Sequence, residues 1–337
     1  WKDGIVKRLT GGVAGLLKKV SVRTMKGTAR FRDGKTVIVR TAEGEKRVRA
    51  ENVVIATGAS PIELDGLAFG GDVISSTEAL SLGEVPERLA IVGAGYIGLE
   101  IGTAYAKLGS KVTVVEAADR ILPLWDDALT RPVAKRLAAL GVDVRLSTKA
   151  SGRADDGLLI ATNEGGSETI PCDKILVTIG RRARTGAIGL DELDLTMSGA
   201  FIEVDDKCRT SMRGVFAIGD VTGEPMLAHR AMAQGEMVAE IIGGHKWAWD
   251  RLCVPAVCFT DPEIVSAGLS PDEAAAKGVD VTVGTFPFRA NGRAMTLERD
   301  DGFVRVVARA SDNAILGVQA VGPGVSELSA AFAIAIE

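Results

Sequence analysis

The chain has 337 residues, 46% of them hydrophobic and 25% charged, an ordinary balance for a soluble globular protein with room for two or three separately packed domains. Its formal net charge of -4 gives no support for nucleic-acid binding, and no apolar run reaches the roughly 18 residues that would suggest a membrane span. Four cysteines are too few for a disulfide framework and suit a reducing compartment, which points to the cytoplasm.

Ile5, Leu9, Val13, Leu16, Leu17 and Val20 recur at helical spacing, so residues 1–20 read as an amphipathic helix. Residues 23–31 and 36–41 read as strands, joined through Asp33-Gly34 in a turn that favours a hairpin. Val53-Val54-Ile55-Ala56-Thr57-Gly58-Ala59 is a buried strand running into a glycine turn.

The most informative stretch follows, over residues 88–116. Residues 89–92 are apolar, as in a strand buried on both faces. Gly93-Ala94-Gly95-Tyr96-Ile97-Gly98 fits G-x-G-x-x-G and continues into Leu99 and Glu100 on a helix. Gly93 permits the turn, Gly95 leaves room for a pyrophosphate at the backbone, and Gly98 lets helix and strand approach. Gly98, Gly102 and Ala106 keep one helical face small, and Gly109 is placed to end the helix. A second strand, 112–115, delivers Glu116 where it can accept hydrogen bonds from an adenosine ribose. Its charge would repel a 2′-phosphate, so NAD is favoured over NADP.

Residues 129–140 read as a helix closed by Gly141, and 142–146, 158–162 and 175–179 as strands, the last ending at Gly180-Arg181. A repeat emerges: the stretches around Gly58 and Gly180 share the order β-meander, buried strand, glycine turn. The offset from Gly93 to Gly180, carried back from Gly58, falls ahead of Trp1, so the first phosphate loop is expected upstream. The chain opens without an initiator methionine and closes at Ile336-Glu337 within a helical pattern, so both ends are expected to continue.

Val215-Phe216-Ala217-Ile218-Gly219-Asp220 is the third signature: a buried strand delivering an acid, then a helix beginning near Met226. The N–H groups of that helix would suit a flavin that gains negative charge, while Asp220 reads equally well as a turn or capping residue. From Cys253 on, short strands and turns followed by a helix over 325–337 indicate a separate α+β domain. Cys253 and Cys258 stand in a β-like run and read as buried thiols, not a redox pair. Neither His229 nor His245 stands in a recognisable relay pattern in the sequence, no metal-ligand spacing appears, and no residue is assigned a catalytic role.

Taken together, T-M-K-G-T-A-R-F, V-V-I-A-T-G-A, I-V-G-A-G-Y-I-G-L-E, I-L-V-T-I-G-R-R, V-F-A-I-G-D-V-T-G-E-P-M-L-A-H-R-A and V-C-F-T-D-P-E-I-V-S-A-G-L-S resemble the pyridine nucleotide–disulfide oxidoreductases, and within them the dihydrolipoyl dehydrogenase family. The match runs through nearly the whole chain. It implies an α/β fold of two Rossmann-like dinucleotide-binding domains, the FAD one incomplete, plus an α+β dimer-interface domain. The segments would be 1–84 with 183–250 for FAD, 85–182 for NAD and 251–337 for dimerisation. By this resemblance Ala150 and Gly180 join residues 93–100 and Glu116 around NAD, with Glu100 near the nicotinamide–flavin contact; from the residues alone Glu100 is a solvated helix position. Gly27, Thr57, Gly58, Ala59, Asp220, Met226, Leu227, Ala228 and His229 would hold FAD.

The implied reaction passes electrons from dihydrolipoamide on a partner acyltransferase, through an enzyme disulfide and FAD, to NAD, in a homodimer. The family's redox cysteines and its His–Glu base have no counterparts in these residues, so alone they are expected to bind NADH without oxidising dihydrolipoamide. The alternatives are a mercuric-reductase-like flavin disulfide reductase and a non-catalytic NAD-binding fragment.

Overall fold

The computed structural model describes residues 1–161, 166–186 and 188–337; Thr162, read as the end of a strand, lies outside them. The chain divides into two compact units, Trp1–Gly58 with Ala183–Trp249 and Ala59–Arg182 with Asp250–Glu337.

In the first unit the opening helix, Lys2–Lys19, buries none of its residues. Thr28–Asp33, Thr36–Thr41 and Gly44–Arg49 form an antiparallel sheet, a meander one strand longer than the hairpin read from sequence. The third strand, Gly-Glu-Lys-Arg-Val-Arg, has one apolar residue, so hydrophobic pattern could not reveal it. Register supplies the reason it pairs: Phe31 faces Val37, and Val37 faces Val48. The strand expected over 23–31 starts only at Thr28. Val53–Ile55 pairs in parallel with Val215–Ala217, and both deliver their ends into turns above a core that includes Phe31, Ile55, Leu193, Ile202 and Val221.

The second unit is built on a five-stranded parallel sheet in the order Val73–Ile74, Lys174–Val177, Arg88–Val92, Lys111–Val115, Asp143–Arg145. Alternation along Arg88–Val92 sends Leu89 and Ile91 to one core and Ala90 and Val92 to another. The first core lies under the helix Tyr96–Lys107, through Leu99; the second is closed by Leu158, Ile160 and Ile170 of a three-stranded antiparallel sheet. That sheet, Lys149–Ala154, Gly157–Ala161 and Ser167–Pro171, completes the second copy of the repeat.

The C-terminal region is a five-stranded antiparallel sheet in the order Ala256–Cys258, Glu263–Gly268, Ile315–Gly322, Phe303–Arg309, Val281–Pro287. Cys258, Ile264 and Val321 enter the same core as Leu89, Ile91, Leu99 and Val133, so the two sheets share buried surface and form one unit. A charged clamp joins them as well. Arg305, 7% exposed, donates to Gln319 Oε1 at 2.9 Å and to Asp126 Oδ2 at 2.9 Å, while Asp126 caps the helix Asp127–Ala139. The closing helix splits into a 3-10 turn, Val325–Leu328, and an α-helix, Ser329–Ile336. Among the described residues no helix is long and apolar enough to cross a membrane, and no cluster of His, Cys, Asp and Glu could hold a metal.

Candidate functional site

The glycine turn is shaped by contacts on three sides. Gly93 has φ +102, and a Cβ there would press on the Thr178 carbonyl oxygen at 2.7 Å. A Cβ on Gly98 would run into the Gly93 carbonyl and, at 2.6 Å, into Thr178 Oγ1, and one on Gly102 would meet Ile91 Cδ1 at 2.7 Å. These two glycines bring helix Tyr96–Lys107 onto its strand. Gly95 is different. It caps that helix in an extended conformation, and a Cβ there would meet no protein atom within 4 Å. The helix has no side-chain cap, so the N–H groups of Tyr96, Ile97 and Gly98 open the helix beside this clear space, as an anion requires. Gly109, φ +103, ends the helix as expected.

Glu116 sits at the end of Lys111–Val115 and is already engaged with the turn. Its Oε2 accepts the Ala94 N–H at 2.6 Å and its Oε1 the Ala118 N–H at 2.8 Å. Each carboxylate oxygen keeps a further lone pair for a ribose hydroxyl. The nearby cation in sequence, Arg120, donates to the Pro123 carbonyl at 2.7 Å. Ala150 is the second residue of the strand Lys149–Ala154, opposite Ile160, and Gly180, φ +132, stands at the end of the turn after Lys174–Val177. Thr178 went unnoticed in the sequence as one more strand residue. Its Oγ1 donates to the carbonyls of Val92 and Gly93, each at 3.1 Å, so it fixes the turn from behind.

Glu100 is not a solvated helix residue. It lies on the face of the helix turned to the C-terminal sheet, where Oε1 accepts the Phe259 N–H at 2.8 Å. Burial raises its carboxyl above the ordinary glutamate value, and the Phe259 bond only partly offsets this.

In the first unit, Val215–Ala217 leads into the 3-10 turn Gly219–Thr222, which carries Asp220. The helix that follows is Ala228–Ile242, with Leu227 at its N-cap, no side-chain cap bond, and His229 in its first turn. Asp220 is therefore a turn residue, and the N-cap of that helix is Leu227. Two residues not singled out in the sequence hold this segment. Gln234 Oε1 accepts the Gly219 N–H at 2.7 Å, and Arg230 donates to the carbonyls of Gly223 and Pro225 and to Thr222 Oγ1. Both follow Asp220 on a helix, so their inward direction shows only once the helix is docked. Met226 donates its N–H to Glu224 Oε2 at 2.9 Å. Thr57 Oγ1 donates to the Arg184 carbonyl at 2.8 Å, Gly58 has φ +67, and Ala59, the first residue of the second unit, is buried. Gly27 has a local reason to be glycine: a Cβ there would collide with the Arg40 carbonyl across the hairpin.

The signature of the pyridine nucleotide-disulphide oxidoreductases matches residues 4–235, and that of their dimerisation domain matches residues 254–337. The chain belongs to this family. It is 54% identical to the dihydrolipoyl dehydrogenase of Pseudomonas aeruginosa and 44% identical to that of Geobacillus stearothermophilus, spanning 100% of this chain and 73% of each relative. Among solved structures it superposes on the LpdA protein of Mycobacterium tuberculosis with TM-score 0.90 at 29% identity, covering 99% of this chain and 75% of that one. A HOCl-induced flavoprotein disulfide reductase of Escherichia coli, as a copper complex of a cysteine variant, gives TM-score 0.90 at 25% identity over 99% of this chain and 77% of that one.

Chemistry at a disulfide in this oxidoreductase family needs an accessible thiolate, and the four cysteines here do not offer one. All are free. Burial pushes Cys258 up to about 12 and Cys208 up to about 11, and raises Cys172 and Cys253 as well. Alkylation by iodoacetamide at neutral pH is expected to be slower at all four than at a free thiol such as glutathione, with Cys258 slowest. A fast-reacting cysteine, found by mass spectrometry of a time course, would contradict the structure. His245 pairs with Glu240 at 3.5 Å on the surface.

Proposed function

We propose that this chain carries the nucleotide-handling part of a dihydrolipoyl dehydrogenase, a flavoprotein disulfide oxidoreductase that uses FAD and NAD. The overall reaction is dihydrolipoamide plus NAD⁺ giving lipoamide, NADH and a proton. The observation that carries the reading is 54% identity to a dihydrolipoyl dehydrogenase along the entire chain. The glycine turn, its open Gly95 and the acid at the strand end agree with it.

Bound FAD supplies the hydride chemistry that ends on NAD⁺. The residues of this chain bind and orient. Gly93, Ala94, Gly95, Tyr96, Ile97, Gly98 and Leu99 form the pyrophosphate cradle, with the uncapped helix N-terminus facing its charge. Glu116 selects an unphosphorylated ribose, and Ala150 and Gly180 border the same site. Glu100 follows the cradle directly and faces inward. In the first unit Asp220 takes the ribityl hydroxyls, and the segment from Met226 through Leu227 and Ala228 to His229, with the positive end of the helix that begins at Ala228, borders the flavin ring; Gly27, Thr57, Gly58 and Ala59 belong to the same site. The flavin (1–84 and 183–250), nucleotide (85–182) and dimer-interface (251–337) segments divide the chain by role, and so differ from its two compact units at 59–84 and at Asp250. The dimerisation signature supports a homodimer. A lipoyl-bearing acyltransferase of a 2-oxo-acid dehydrogenase complex is the expected partner and the cytoplasm the expected location.

The test uses the natural protein that carries these residues. NAD⁺-dependent oxidation of dihydrolipoamide is expected. Reduction of mercuric ion with no dihydrolipoamide turnover would move the reading to the mercuric-reductase-like alternative. A second test addresses the flavin site. Asp220→Ala in that protein is expected to come off purification depleted of flavin, judged by flavin absorbance per mole of protein. Full occupancy would leave Asp220 as a turn residue alone.

A further inference from the structure

Glu100, Thr103 and Lys107 lie on one face of helix Tyr96–Lys107, at spacings that stack three successive turns. That face meets the turn 258–262 of the C-terminal region. The Phe259 N–H donates to Glu100 Oε1 at 2.8 Å, and two residues later Asp261 Oδ2 meets Lys107 Nζ at 2.9 Å. The turn thus touches the nucleotide helix near its start and at its last residue.

Asp261 is what anchors the turn. Its carboxylate, 12% exposed, also pairs with Arg136 at 3.1 Å and with Arg299 at 2.7 Å. Burial alone would raise this carboxyl, but hydrogen bonds from Lys107, Arg299 and Arg136 outweigh it and hold the group well below the ordinary aspartate range. The stability tied to a depressed carboxyl is present above its unfolded value and is lost only as pH falls through the folded one. The anchor therefore stays charged throughout the range in which Glu100 titrates. Within the turn, Thr260 Oγ1 donates to the Pro262 carbonyl at 2.7 Å, and Cys258 is fully buried in the shared core. Phe259 has little freedom to move its N–H.

We propose that the turn 258–262 is a strap that sets the nucleotide helix, with Asp261 the positioning residue that holds the Glu100 carboxylate. The strap joins the dimer-interface sheet to the nucleotide helix, so whatever orders that sheet also orders the cradle. The part concerning NADH rests on the nucleotide-site reading above; the part concerning Glu100 does not. Thr103 makes a control. It is buried between the two contacts, and its Oγ1 has no hydrogen-bond partner, so Thr103→Val removes no bond.

The experiment labels the nine phenylalanines with ¹⁵N and follows the Phe259 amide, assigned by its loss in Phe259→Leu, through a pH titration. In the wild type its midpoint should report Glu100 above the ordinary glutamate value. No charged side chain contributes to the Glu100 shift among the described residues, and the titratable neighbour is the Cys258 thiol, which stays protonated over this range. In Asp261→Asn the loosened turn admits water to Glu100. The midpoint should fall toward the ordinary value, and the NADH dissociation constant should rise about three- to tenfold, roughly one power of ten at most. Lys107→Met, which removes one of the three cations, should move both in the same direction by less, and keeps the test valid if Asp261→Asn does not fold. Thr103→Val should move neither. A lowered melting temperature with the Phe259 midpoint and NADH affinity unchanged in the folded variants would overturn the proposal, leaving Asp261 a stabilising ion pair only. A wild type that binds no NADH would defeat the nucleotide-site reading instead, with the Phe259 titration still deciding whether Asp261 positions Glu100.

Discussion

Alanine at Gly95 is expected to cost the protein its NADH affinity while leaving its thermal stability almost unchanged, and alanine at Gly98 is expected to cost stability first. At Gly95 the backbone is extended and a Cβ meets no protein atom within 4 Å, so folding has nothing to resist. The added methyl instead occupies the space where a pyrophosphate must approach the backbone, and a loss of at least about tenfold in affinity, about 1.4 kcal/mol, should follow. At Gly98 the methyl meets the Gly93 carbonyl, Thr178 Oγ1 and Ile91 Cγ2, none of which can retreat without moving the strand. Overpacking of that kind costs about 1–3 kcal/mol. Melting curves beside NADH titrations separate the two. Equal loss of stability in both variants would mean that Gly95 is structural and the cradle misassigned.

Glu116 should show both effects in one side chain. Glu116→Ala leaves the buried Ala94 N–H without its acceptor, which costs about 1–3 kcal/mol. It also removes the negative charge expected to exclude a 2′-phosphate. The discriminating quantity is the ratio of NADH to NADPH affinity, which should narrow. A variant that loses stability but keeps the wild-type ratio would make Glu116 a brace for the glycine turn and no more.

Much of the nucleotide unit was legible in sequence because its signals are local. The strand, the glycine turn, the helix and the second strand lie within one stretch, and each glycine has a steric duty. The repeat was legible too, since two meanders end in glycine turns. Hidden features are those whose cause is distant along the chain. The strand Gly44–Arg49 is mostly charged and is recruited by pairing with Thr36–Thr41. Glu100 looked solvated because its partner is a backbone N–H more than 150 residues away, which no side-chain pattern encodes. Thr178 braces the turn with a hydroxyl that any strand threonine carries. The shared core of Cys258, Ile264 and Val321 with the nucleotide sheet joins two segments that read as separate, because both present ordinary apolar strands.

The most direct test of the account is a paired calorimetric titration of this 337-residue chain with NADH and with NADPH under identical conditions. The geometry of Gly95 and Glu116 predicts that NADH binds at least about tenfold more tightly than NADPH, a difference of roughly 1.4 kcal/mol. Equal affinities, a preference for NADPH, or no binding of either would contradict it.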